Sequence, residues 1–205
     1  MTSPVLYGPP YSTCVRSARL ALEEKGVAYE LVDVDIFAGA NREPEHLSRH
    51  PFGKVPAFEH DGFALYETCA IMRYVDEAFD GPALQPARPR GRARMTQAIG
   101  IIDCYASPTL ISRIVIPRLT KQTPDEAVLP DARCALAALE DLIEDGPYLA
   151  GDAVSLADLH LVPIYHYVRQ TPEGEILLAD TPKLRHWWSA TRGRATVERT
   201  TPSLG

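Results

Sequence analysis

The spacing of hydrophobic and polar positions changes once along this chain, close to residue 80. Before that point apolar residues come in short runs separated by turn signals, and after it they recur at helical spacing. Val5-Leu6-Tyr7, stopped by Gly8-Pro9-Pro10, predicts a first strand and a tight turn. Ser12 or Thr13 then offers an N-cap to a helix whose stripe includes Val15, Ala18 and Leu22 and which ends at Lys25-Gly26. Tyr29 to Asp35 alternates like a strand, and the polar stretch from Gly39 to His50 predicts a short surface helix. Two short apolar runs, 57–59 and 63–66, flank Asp61-Gly62, a pair that tolerates the positive φ a tight hairpin turn demands. Ile71, Met72 and Val75 then give the stripe of a further helix. Strand, helix, strand, short helix, hairpin and helix together predict a thioredoxin-like α/β domain over residues 1–80.

A cluster of Gly81, Pro82, Pro86 and Pro89 marks an expected linker, with the junction between Gly81 and Arg92. Residues 92–119 read as one long helix, kinked at Pro108 and stopped at Pro117. Ala132 to Glu144 is amphipathic through Ala135, Leu136, Leu139, Leu142 and Ile143, with a stop at Asp145-Gly146-Pro147. Ser155-Leu156-Ala157-Asp158 is a capping-box variant at the head of a buried helix through Leu161 and Ile164, and Leu184, Trp187 and Trp188 mark a last helix. The second domain, 92–205, is expected to be all-helical.

The segment joining strand, hairpin and helix carries the candidate chemistry. Pro56 cannot donate to a ladder, so it belongs at a strand's first position and leaves the Val55 backbone open to an outside peptide. Lys54 supplies a cation nearby, and Glu67-Thr68 places an acid and a hydroxyl where a strand ends and a helix begins. That helix start can receive a carboxylate, and Glu67 can hold an ammonium group. The set suits a small peptide with a free α-amino and an α-carboxylate. His46, His50 and His60 read as exposed loop histidines with no metal-site spacing.

Composition narrows the class of partner. A net charge of −6 argues against nucleic acid, and the one basic cluster, Arg88, Arg90, Arg92 and Arg94, reads as a solvated linker. Cys14, Cys69, Cys104 and Cys134 form no C-x-x-C and share no ligand spacing with histidine, so neither a metal nor a disulfide framework is expected. No signal peptide and no membrane-length apolar run are visible, so a cytosolic protein without membrane partners is expected.

Pro51-Phe52-Gly53-Lys54-Val55-Pro56, followed by Glu67-Thr68-Cys69-Ala70-Ile71, resembles the glutathione-binding segment of the cytosolic glutathione transferases. Thr68 stands where that family usually has serine. The resemblance is specific over about the first 80 residues and extends in outline to the helical half. It implies that glutathione is a co-substrate held by Lys54, Val55, Glu67 and Thr68, with Arg42 pairing to its glycyl carboxylate in a stretch where relatives have His-Lys. Pro10-Tyr11-Ser12-Thr13 resembles the active-site serine segment of the phi class, which makes Ser12 the candidate catalytic group; the other role open to Ser12 is that of a plain cap. Tyr7, the position near which tyrosine-type relatives carry their phenol, and Cys14, which would imply thiol exchange, are the rivals.

The energetics allow a hydroxyl to suffice. A free thiol has a pKa near 8.5, and lowering it by about two units needs roughly 2.7 kcal/mol of preference for the anion. One hydrogen bond to a charged group contributes about 1.5–3 kcal/mol, and a helix N-terminus about 0.3–1 more. The second substrate would be an apolar electrophile, with Tyr11, Phe37, Ile111 and Val115 as candidate wall residues. Family habit further implies a homodimer, with Phe52 as an aromatic key. The alternative to an enzyme is a non-catalytic relative that binds ligands or partners.

Overall fold

The structure, a computed structural model, describes residues 2–144 and 146–202. The chain divides into two compact units, one formed by Met1–Ala83 with Arg194–Gly205 and the other by Leu84–Gly193.

The first unit is built on a four-stranded sheet of order β2-β1-β3-β4. Strand β1, Val5–Tyr7, pairs in parallel with β2, Glu30–Val32, and antiparallel with β3, Ala57–His60, which forms a hairpin with β4, Phe63–Tyr66. Asp61 and Gly62 turn that hairpin at φ 47° and 79°, the two positive values their sequence promised. Because strand side chains alternate, Leu6 and Phe58 share one face and Tyr7 and Ala57 the other. Helices α1, Thr13–Glu24, and α3, Thr68–Ala78, pack on each other. Their Val15, Ala18, Leu22, Ile71, Met72 and Val75 are fully buried, as are Leu6 and Phe58. The opposite face buries Tyr7, Val34 and Ala57 with Val5, Val32, Ala40 and Val55 packed around them. Helix α2, Pro44–Arg49, is the short helix expected in the polar stretch.

The second unit is helical. Helices α4, Pro89–Ile101, and α5, Ile116–Leu119, are the ends of one 31-residue helix whose middle, Ile102–Val115, winds with the wider π spacing. Pro108 lies in that wide stretch, where its missing N–H and its ring are accommodated without a break, and the helix stops after Pro117 as expected. By length and composition this helix could cross a membrane, which the sequence reading of interrupted apolar runs did not anticipate. It packs on α6, Leu129–Leu142, and α7, Leu156–Val168, burying Met95, Ala98, Ile102, Ala106, Leu110 and Ile114. Of the stop expected after α6, Asp145 lies outside the described residues.

At the head of α7, Asp158 is fully buried and accepts bonds from the Ser155 N–H at 2.8 Å, the Ser155 hydroxyl at 2.7 Å, the Leu149 N–H at 2.9 Å and the Trp187 indole at 2.8 Å. The capping box thus also bolts a loop and α9, Pro182–Thr191, to α7.

Helix α8, Pro172–Ala179, has no counterpart in the sequence reading, because its apolar residues are bunched at Ile176-Leu177-Leu178 instead of spaced around a stripe. Helix α10, Ala195–Thr200, offered no apolar period at all. It groups with the first unit, where the sequence reading carries the helical domain to residue 205. The fully buried Arg16 of α1 explains this, donating to the Val197 carbonyl at 3.2 Å and the Thr201 hydroxyl at 2.8 Å. Glu24 accepts two bonds from Arg194 and one from Thr196. The basic cluster is also relocated: Arg90, Arg92 and Arg94 sit in the first turns of α4 and not in a linker.

Candidate functional site

Gly8 sets the local geometry. Its φ of +145° suits glycine, and a Cβ there would fall 2.5 Å from Cγ2 of Val15 and 3.1 Å from Cβ of Val55. The turn after β1 is therefore in close contact with both the first turn of α1 and the Val55 segment. Ser12 caps α1 in extended conformation, and among the described residues its hydroxyl accepts only a long 3.4 Å bond, from the Val15 N–H. It is half-buried and keeps hydrogen-bonding capacity for a ligand.

The rival groups are differently engaged. The Tyr7 hydroxyl donates to a Glu59 carboxylate oxygen at 3.0 Å, and the Arg49 guanidinium lies 4.2 Å above its ring while bonding the other Glu59 oxygen at 3.2 Å. Burial and then the Glu59 carboxylate push the phenol above its ordinary pKa, with Arg49 opposing. Tyr7 is thus tied into a charged triad and holds its proton firmly. Cys14 is a half-buried thiol on α1 that takes part in no disulfide.

Gly53, φ +59°, allows the second close approach, since a Cβ there would lie 2.9 Å from the Asn41 carbonyl oxygen. The Asn41 amide donates to the Gly53 carbonyl at 2.7 Å. That bond pins the 3-10 turn Ala40–Arg42, with Arg42 exposed at its end, to the loop carrying Lys54. The Lys54 side chain is exposed while its carbonyl is 2.7 Å from Nε2 of His46. Val55 is half-buried, precedes a cis peptide to Pro56, and has no backbone hydrogen bond among the described residues.

Glu67 adopts φ 72°, ψ 118° at the N-cap position of α3, a conformation rare for a residue with a side chain. Its carboxylate is exposed, and Thr68 behind it is 8% exposed in the first turn.

The histidines correct the sequence reading. His46, His50 and His60 are 3%, 2% and 6% exposed. His60 lies in β3 with Nδ1 2.8 Å from the Tyr74 hydroxyl. His46 and His50, four apart along α2 and its C-cap, stack at 6.4 Å, and His50 packs on Tyr66 at 4.8 Å. A carbonyl can only accept, so Nε2 of His46 carries the proton that holds Lys54. Burial depresses the His50 pKa, the Glu67 carboxylate opposes that, and His46 and Lys54 add to it. Both the acid and the cation of the candidate site are thus felt at His50. The i, i+4 spacing of the pair was the one sequence signal that could have marked them.

The remaining candidates divide between the units. Tyr11 stacks on the exposed Phe37 at 5.7 Å. In the helical unit Val115 is buried and Ile111 half-buried. Phe52 is 62% exposed and meets His50 and Tyr66 edge-on.

Comparison with known proteins identifies the family. Residues 4–77 match the family model described as "Glutathione S-transferase, N-terminal domain" and residues 103–195 the one described as "Glutathione S-transferase, C-terminal domain". "Glutathione S-transferase F10" of Arabidopsis thaliana is 33% identical over 199 residues, covering 93% of this chain and 92% of its own. The crystal structure of glutathione transferase F7 from Populus trichocarpa superposes with a TM-score of 0.85 at 30% identity, covering 96% of this chain and 97% of that one. A structure titled glutathione S-transferase-I bound with the ligand lactoylglutathione gives a TM-score of 0.83 at 29% identity, covering 97% and 98% of the two chains. Matched along nearly its whole length, the chain belongs to the glutathione S-transferase family and is phi-like within it.

Proposed function

We propose that the protein binds glutathione and activates its thiol for attack on an apolar electrophile, with Ser12 as the catalytic hydroxyl. The observation that carries this reading is the contrast between two hydroxyls: among the described residues that of Ser12 has a single 3.4 Å hydrogen bond at a helix start, whereas that of Tyr7 is committed to Glu59. A thiolate at Ser12 would gain a hydroxyl donor and the field of α1. The tripeptide is held by the open backbone of Val55, the Lys54 cation, the Glu67 carboxylate toward its ammonium, and Thr68 at the start of α3. Arg42 meets the glycyl carboxylate. Such a set has no use in a purely structural descendant, which speaks for an enzyme over a non-catalytic binder. The exposed Phe37 on Tyr11, one residue before Ser12, offers an apolar surface to the electrophile.

The test is a thiolate absorbance titration of the glutathione complex. Ser12→Ala should lift the thiol pKa by about one to two units and slow conjugation roughly tenfold to hundredfold at neutral pH, with glutathione affinity little changed. Tyr7→Phe and Cys14→Ala should titrate like wild type. If Ser12→Ala does so and Tyr7→Phe shifts upward, the assignment is wrong.

Four cysteines without a disulfide suit a reducing cytosol. We further place Phe52 in a homodimer contact, because a ring 62% exposed is poorly used by a lone subunit. Sedimentation at micromolar concentration should give a dimer, loosened by Phe52→Ala; a monomeric wild type removes the proposal.

A further inference from the structure

The loop that enters β3 is held through its main chain. The Gly53 N–H donates to the His50 carbonyl at 2.8 Å, and the Gly53 carbonyl accepts from the Asn41 amide at 2.7 Å. The next carbonyl, that of Lys54, accepts from Nε2–H of His46 at 2.7 Å. The Val55 N–H that follows makes no hydrogen bond among the described residues.

The Lys54 carbonyl and the Val55 N–H belong to one amide, and that peptide is trans. A trans peptide is planar with its C=O and N–H directed to opposite sides, so whatever fixes the first also aims the second. The bond from His46 turns the carbonyl toward α2 and thereby sends the N–H away from it. The same bond polarises the amide, because a peptide whose oxygen accepts a hydrogen bond becomes a stronger donor at its nitrogen. The ring that does this is 3% exposed, and its Nδ1 is buried without a partner among the described residues. An unpaired buried nitrogen carries a desolvation cost that a leucine of similar size would not, so packing alone does not account for a histidine here.

We propose that His46 is a positioning residue of the glutathione site: by holding the Lys54 carbonyl it orients and strengthens the Val55 N–H as the main-chain donor to a peptide carbonyl of the ligand. The inference rests on the reading of the Val55 segment as the place where the tripeptide binds. The role is exerted on affinity and not on the thiol, since His46 acts through an amide that faces the ligand's backbone. Asn41 has the companion task one residue earlier, fixing the Gly53 carbonyl.

The experiment is calorimetric titration with glutathione of wild type, His46→Leu, which removes the donor, and His46→Gln, whose amide returns an N–H near the place of Nε2. His46→Leu should weaken binding by about three- to tenfold, and His46→Gln should recover most of that loss. In conjugation kinetics the change should fall on KM for glutathione, with kcat at saturation and the thiol pKa of the complex unmoved. Two analogues, each with one of the tripeptide's two amides replaced by a planar trans-alkene, identify the carbonyl concerned. Wild type should bind one of them more weakly than glutathione, and against that one His46→Leu should bind like wild type. A reading that needs no variant is the His46 Nε2–H proton resonance of wild type, which should move when glutathione binds and stay in place with that analogue. Failure of wild type to bind glutathione would remove the glutathione site, and the proposal with it. If wild type binds, a His46→Leu that matches it, a His46→Gln as weak as His46→Leu, a loss carried by kcat, or a loss of the same size against both analogues would overturn the role of His46 alone.

Discussion

Glu67 carries a cost that its neighbours do not, because a glutamate at φ 72°, ψ 118° lies outside the regions that side chains favour. Such strain amounts to about 1–3 kcal/mol and persists where the surroundings hold it in place. Glu67→Gly should therefore raise the stability of the free protein by about 1 kcal/mol, once the lost chain stiffness is subtracted, and weaken glutathione binding at the same time. Thermal unfolding and a binding isotherm on the same variant check both halves, and a variant that loses stability would show that the backbone is not strained there. Glu67 itself was legible as an acid at a strand-to-helix junction, and Lys54, Val55, Thr68 and Ser12 were legible through motif and resemblance. The dihedral was not, since nothing in Tyr66-Glu67-Thr68 announces a positive φ as glycine or asparagine would. Burial of His46 and His50 was hidden for a related reason. Their surroundings are assembled from Lys54, Phe52, Tyr66 and Glu67, which lie on other segments of the chain.

At the scale of the element, α2 behaves as a support for the Lys54 loop, and His50 at its C-cap makes that support sensitive to acid. His50 is buried and its folded pKa is depressed below the ordinary 6.5. The unfolded chain takes up the proton first as pH falls, so it binds more protons than the folded one in the interval below 6.5. Stability is then complete above that value and declines as pH drops toward the folded pKa. His50→Gln, which keeps a polar side chain of similar length and cannot titrate, should flatten the dependence of Tm on pH below about 6.5. An unchanged slope would remove His50 from the account. Of the helices most easily read, α1 carries a cap and a stripe together, α6 the stripe and α7 the capping box. Helix α8 has the cap, Thr171 followed by Pro172, but no stripe, and α10 has neither.

For the whole molecule the informative region is the last dozen residues. The Glu24 carboxyl, nearly buried, is raised by that burial but lowered further by the bonds from Arg194 and Thr196 and by the charges of Arg194 and Arg199, with a net downward shift. Its contribution to stability is thus present above the ordinary carboxylate pKa and lost as pH falls below it. Arg194→Ala should cost about 1.5–3 kcal/mol in urea unfolding at neutral pH. The difference from wild type should shrink toward pH 3, and a constant difference would mean that the arginine acts through packing alone.

Arg16 gives that arrangement a meaning in time. Its guanidinium is fully enclosed, and the acceptors identified for it, on Val197, Thr200 and Thr201, lie more than 180 residues along the chain. On a ribosome adding about 5–20 residues per second, the roughly hundred residues of the helical unit take about 5–20 s to appear. Throughout that interval the sheet and α1 exist while the charge between them and solvent has nothing to close over it. The unit made first is therefore finished last, and its nascent fold should stay open to chaperones until residues 197–201 arrive.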